Sequence, residues 1–231
     1  AVVDPLKVTL VNWPEDQLDA LEVENHPDHP EMGTRTVTFG RELYIEKEDF
    51  MEEPIKKFFR LAPGREVRLK GAYIIKCDEV VKDENGNVVE LKCSADLDSK
   101  SGSEGAARKV KGTLHWVAAC DCADAEVRIY TQMLNLSEEE VEAAAESDEL
   151  TDETVEVRPA KRDFTEMFYP GSKKVLAGVK CEKSLLNAKP GDKFQFLRMG
   201  YFCVDPDSRE GAPVFNRVVA LKDTWAKEAK K

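Results

Sequence analysis

The chain has 231 residues, of which 42% are hydrophobic, enough to bury the core of one large domain or two small ones. No apolar run approaches the roughly 18 residues that span a bilayer, and the opening Ala1-Val2-Val3-Asp4-Pro5 has neither the basic start nor the apolar stretch of a signal peptide. With 34 Lys and Arg against 45 Asp and Glu, the net charge of −11 weighs against an indiscriminate polyanion binder.

Along the chain the dominant pattern is alternation of apolar and polar residues, the period of a half-buried strand. It runs through 6–11, 36–39, 42–45 and 67–70, then into 73–75. Asp83-Glu84-Asn85-Gly86-Asn87 follows, with Val88-Val89-Glu90-Leu91-Lys92-Cys93 beyond it. Alternating runs around Asn-Gly predict a β-hairpin. Further strands are expected at 111–120, 126–134, 154–159, 193–204 and 214–221. Helices are few. Asp49 can cap a helix whose face carries Met51, Ile55, Phe58 and Phe59, with Pro54 early in it. Ser137-Glu138-Glu139-Glu140 reads as a capping box before 141–145, and a short helix is expected at 182–188, stopped by Pro190-Gly191. Many short strands with turns between them place the chain in the all-β class, as a barrel or sandwich.

The six cysteines, Cys77, Cys93, Cys120, Cys122, Cys181 and Cys203, contain no C-x-x-C pair and read as reduced thiols of a cytoplasmic protein. Cys120 and Cys122 can share a strand face, and His26 and His29 share a proline-rich loop with Asp28. Neither set closes a metal site, so no metal is expected. No phosphate-loop, dinucleotide or nucleophile-elbow motif is present.

Charge is unevenly placed. Residues 137–157 hold ten acidic groups and no basic one, which leaves the remainder near −1. Residues 54–76 carry Lys56, Lys57, Arg60, Arg65, Arg68, Lys70 and Lys76 against Glu66 alone. Lys56, Lys57 and Arg60 lie beside the apolar stripe of the expected helix, and Arg68 and Lys70 share one strand face. Two basic faces so close in sequence can flank a groove that binds phosphates or base edges, although a solvated surface with i,i+4 charge pairs shows the same pattern. In 194–198, Phe194 and Phe196 point to a core and Gln195 points away, suited to reading a base edge. Strict alternation sets Arg198 opposite Gln195, so the two act together only if the strand bends or bulges near Met199-Gly200. A plain core strand is the other reading of this run.

Several segments in order resemble glutaminyl-tRNA synthetases: Asn25-His26-Pro27-Asp28-His29-Pro30-Glu31-Met32-Gly33-Thr34-Arg35, Gly64-Arg65-Glu66-Val67-Arg68-Leu69 with Ala72-Tyr73, Lys109-Val110-Lys111-Gly112 with His115-Trp116-Val117, Gly200-Tyr201-Phe202-Cys203, and Val214-Phe215-Asn216-Arg217. The likeness covers nearly the whole chain and is to the C-terminal anticodon-binding region of that class I family, which includes archaeal and eukaryotic-type glutamyl-tRNA synthetases.

The resemblance implies two antiparallel β-barrels of six-stranded type, one inserted in the other: 1–112 with 205–231, and 113–204 with the acidic insertion. It implies a glutamine–tRNA ligase whose ATP-using catalytic domain lies upstream, so that this piece is non-catalytic and holds no cofactor. The implied partner is glutamine tRNA, with no membrane and a monomeric protein. The implied anticodon contacts are Arg60 and Arg198 to the third base, Gln195 to the middle base, and Arg68 and Lys70 to the first. Lys57, Pro27 and Asp28 lie near the bases. Phe59, Lys70 and Asp28 depart from the family pattern, which has a lysine, an arginine and often a neutral amide at those positions. A glutamyl-tRNA synthetase region, or a β-barrel module for structured ribosomal RNA or a protein partner, are the competing readings.

Overall fold

The computed structural model describes residues 1–26, 28–131, 133 and 168–221. Pro27, the acidic run at 137–157, the helix expected after Ser137 and the strand expected at 154–159 lie outside the described residues. The chain divides into two compact units, Ala1–Val127 with Leu176–Lys231, and Arg128–Val175. In the smaller unit the Thr131 N–H donates to the Ser172 carbonyl and the Tyr169 N–H to the Met133 carbonyl. All the candidate site residues belong to the larger unit.

The chain is all-β. Its described strands are β1 (Pro5–Leu10), β2 (Asp19–Glu24), β3 (Thr34–Phe39), β4 (Glu42–Glu46), β5 (Glu66–Leu69), β6 (Ile74–Lys82) and β7 (Val88–Asp96). After them come β8 (Thr113–Leu114), β9 (Val117–Ala118), β10 (Cys122–Tyr130), β11 (Lys173–Glu182), β12 (Lys193–Phe196), β13 (Gly200–Val204) and β14 (Val214–Val219). A seven-stranded sheet has the order β8-β5-β6-β7-β1-β4-β9, a five-stranded sheet the order β11-β10-β14-β13-β12, and β2 pairs with β3 alone. β8 and β9 thus belong to the larger sheet, and β14 to the five-stranded one.

Alternation sets which side of each strand is buried. In β1, Leu6, Val8 and Leu10 go inward while Lys7 and Thr9 do not, and in β5 Val67 and Leu69 are fully buried. These side chains meet an aromatic group of Trp13, Phe39, Tyr73 and Trp116, with ring centroids 4.9–5.1 Å apart. The edge-on and tilted arrangements suit the ring quadrupoles. A second aromatic group lies on the five-stranded sheet, where Phe196 stacks on Phe202 at 4.2 Å and meets Phe215 edge-on at 5.1 Å.

The predicted hairpin forms between β6 and β7. The Asp83 carboxylate accepts from the N–H groups of Asn85 and Asn87, and Gly86 takes the left-handed conformation at φ 81°. Only glycine adopts that conformation without a Cβ penalty. The helix expected over 49–59 does not form. Of its stripe, Phe58 is buried, while Ile55 and Phe59 are exposed. Residues 51–60 instead make an irregular excursion, with Pro54 removing one amide donor. Its base is zipped shut: the Leu61 N–H donates to the Asp49 carbonyl and the Met51 N–H to the Leu61 carbonyl. The expected helix at 182–188 is a single tight turn, Lys183–Asn187.

Candidate nucleic-acid interface

The zipped base of the 51–60 excursion places Arg60 beside Asp49. Phe58 anchors the excursion in the core, and Arg65 Nη1 donates to the Phe58 carbonyl at 2.6 Å. Gly112 lies against the neighbouring backbone. A Cβ there would stand 2.1 Å from the Phe59 carbonyl oxygen, so the close approach admits only glycine. The excursion is therefore irregular yet held at three points.

Arg198 arrives from the five-stranded sheet. The run 193–204 is a hairpin of β12 and β13, with Phe196 paired to Gly200. Leu197, Arg198 and Met199 form the turn, and the Met199 N–H donates to the Phe196 carbonyl at 3.0 Å. Arg198 takes φ 69°, the only positive φ at a non-glycine among the described residues. That conformation costs an L-residue on the order of 1 kcal/mol or more. The break in alternation sought near Met199 is thus a chain reversal, and it frees Arg198 from the strand's two faces. Gln195 points outward and pairs across the ladder with exposed Tyr201, so an amide and an aromatic ring sit side by side next to the turn.

The two arginines, 138 positions apart in sequence, meet on one carboxylate. Arg198 Nη1 lies 2.8 Å from Asp49 Oδ1, and Arg60 Nη1 lies 3.4 Å from the same oxygen. Arg60 Nη1 also donates to the Glu48 carbonyl at 3.2 Å. The Asp49 side chain is 1% exposed, against 14% for Arg60 and 32% for Arg198. Burial pushes the Asp49 carboxyl up to about 6, while Arg198 and then Arg60 pull it back down. Nearby Glu46 is pushed to about 7 by burial, against the pull of the N–H groups of Val3 and Asp4 on its carboxylate.

Beside Arg60 opens a basic cleft lined by Lys56, Phe59, Arg65, Lys109 and Lys111 together with Phe58, Glu66 and Val110. Phe59 is about half exposed, and Lys111 Nζ stands 5.4 Å from the centre of its ring. Cations around an accessible aromatic face suit an unpaired nucleotide, whose phosphate and base they meet separately. A second cleft runs past Lys70, Arg35, Glu182, Lys183 and His115 to Leu197, the residue before Arg198. On its wall Arg35 binds Glu182 through two contacts of 2.6 and 2.9 Å. Burial alone would raise the Glu182 carboxyl, but Arg35 holds it below the usual range.

The structure brings Arg60 and Arg198 together on Asp49, with Gln195 on the strand that leads into the Arg198 turn, and Lys70 shares a cleft with that turn. Lys57 is exposed on the excursion. Arg68 is elsewhere engaged: it donates to the carbonyls of Ser99, Ala106 and Arg108 at 2.9, 3.2 and 3.0 Å. Asp28 is exposed in the loop between β2 and β3, its N–H donating to His26 Nδ1. Pro27 lies outside the described residues. Sequence reasoning missed Asp49 as a junction, reading it as a helix cap. It also missed Tyr201, which period-2 alternation and hairpin pairing would have placed next to Gln195.

Comparison with known proteins gives the family. Two models described as tRNA synthetases class I (E and Q), anti-codon binding domain, match residues 1–96 and 113–205. Among curated relatives, a glutamine–tRNA ligase of Bradyrhizobium diazoefficiens is 45% identical over 231 residues, all of this chain and 38% of its own length. One of Nitrobacter winogradskyi is 47% identical over 229 residues, 99% of this chain and 37% of its own length. One of Clostridium perfringens is 46% identical over 226 residues, 97% and 38% respectively. The chain spans well under half the length of these relatives.

Proposed function

The chain belongs to the family of anticodon-binding domains of class I tRNA synthetases for glutamate and glutamine, and from that premise we propose that it selects glutamine tRNA by its anticodon loop. In the full-length protein an upstream domain would use ATP to attach glutamine, in the cytoplasm, while this piece would do no chemistry. Arg60 and Arg198 would address the third anticodon base, a guanine whose acceptor edge suits a guanidinium. Gln195 would read the middle base, with Tyr201 beside it as a stacking face. Lys70 would approach the first base. The cations of the Phe59 cleft would hold phosphates, which position the loop without specifying it. Lys57 and Asp28 would border the bases. Arg68, read from sequence as a first-base contact, would act by bracing the 99–108 segment beside that position.

The observation that carries this reading is the junction itself. Two guanidiniums, one from the 51–60 excursion and one from the hairpin turn of the five-stranded sheet, meet on one carboxylate beside a basic cleft, with an exposed amide next to the turn and two exposed aromatic rings. Unpaired bases are recognised by such a mixture of stacking and edge contacts. The experiment is titration of the chain with two anticodon stem-loops differing only in the third base, G for glutamine and C for glutamate. The reading predicts tighter binding of the G loop. Preference for the C loop would assign the chain to glutamate instead.

A further inference from the structure

We propose that Asp49 is a positioning residue for third-base recognition: its buried carboxylate fixes Arg198 in register with Arg60 so that the two guanidiniums present one surface. The inference rests on the reading above and assigns a role to a residue that touches no RNA in it.

Asp49 acts through two groups at once. Its backbone carbonyl accepts the Leu61 N–H, which sets where Arg60 leaves the chain. Its Oδ1 forms ion pairs with Nη1 of Arg198 at 2.8 Å and with Nη1 of Arg60 at 3.4 Å. Arg198 is thereby held at one nitrogen, while its side chain keeps enough exposure to offer the others outward. An arginine fixed in this way gives up less rotamer freedom when it binds, which favours the partner of matching geometry.

Two further observations fit positioning rather than stability. A buried ion pair is often no more stabilising than well-packed apolar residues, so stability alone does not explain an acid that is 1% exposed. Arg198 also occupies a left-handed backbone position that glycine would fill without strain. Strain and a buried charge at the same junction are expected where geometry serves recognition.

The test uses the whole chain and the two stem-loops differing in the third base. Asp49→Asn keeps size and removes charge, with thermal unfolding as the check on folding. The G-over-C preference should fall at least tenfold, with a smaller change in affinity for the C loop. Asp49→Glu should give a preference between wild type and Asp49→Asn. Should Asp49→Asn not fold, Asp49→Glu decides alone, by a reduced preference in a folded protein. A wild-type preference in the folded variant would overturn the proposal and leave the anticodon reading standing. Absence of any G-over-C preference in the wild type would overturn both.

Discussion

Arg68 and Arg198 carry the same side chain into two different surroundings. Arg68 ends on three backbone carbonyls of the 99–108 segment, which offer acceptors but no countercharge. Arg198 meets one buried carboxylate from a hairpin turn and keeps about a third of its side chain exposed. A guanidinium that commits three of its five donors to carbonyls acts mainly as a brace, whereas one paired at a single nitrogen keeps more donors for a ligand. Residue type therefore nominates a recognition arginine, and the partners decide whether it can act as one.

The largest effect separating the two regions is expected at the carboxylate. Asp49→Ala leaves two partly exposed cations without their shared acid and should destabilise the chain by about 3 kcal/mol, measured by urea unfolding. Arg68→Ala removes three charge-assisted hydrogen bonds and should cost about 2–3 kcal/mol, since such bonds do not add fully. Its folded form should keep its preference for the third base. A preference lost in proportion to Arg198→Ala would dissolve the distinction between brace and reader.

The pH dependence sharpens the same comparison, because stability and selectivity should move in opposite directions. Burial raises the Asp49 carboxyl to about 6 from an ordinary 3.8, so the fold favours its protonated form. This contribution to stability is fully present below pH 3.8 and lost as pH rises through about 6, a change of about 3 kcal/mol at most. Third-base preference needs the charged form and should rise across that window. Arg198, Arg60, Glu48 and Glu46 are the charged groups acting with Asp49 there, and Glu46 adds a stability loss of the same sign as pH passes about 7. Asp49→Asn should flatten the change in preference between pH 5 and 7, read by titration with both stem-loops.

The smallest effect is expected in the basic cleft. Lys111→Ala should weaken both stem-loops about equally and lower the salt slope of log affinity by about one unit, without changing preference. A selective loss for one loop would make Lys111 a specificity contact.

The sequence-to-structure relation differs between these regions for physical reasons. Strands such as β1 and β5 were legible because one face is buried and period 2 shows in the residue types. The Asp83–Asn87 turn was legible because its residues suit the left-handed position they fill. The Arg198 turn was legible only as a break near Met199-Gly200, because Leu197-Arg198-Met199 contains no turn-forming residue and otherwise reads as continuing strand. Its conformation is set by Phe196 and Phe202 packing on each other and by Asp49 across the junction. The 51–60 segment misled in the opposite sense, since apolar residues at helical spacing include two that stay exposed around an anchored Phe58. β2 and β11 passed unrecognised because each buries few residues, with Leu21 alone fully inward in β2. The arginines of the site could be nominated from sequence, but carbonyl and carboxylate partners depend on contacts up to 149 positions apart.

Arg198 is proposed to read the third anticodon base from its place on Asp49. The most direct test compares dissociation constants of wild type and Arg198→Ala for the two stem-loops at one salt concentration. The G-over-C preference should drop by about 1–3 kcal/mol, some 5- to 150-fold, mostly through weaker binding of the G loop. An unchanged preference, with both loops weakened alike, would contradict the account and leave Arg198 as a general cation.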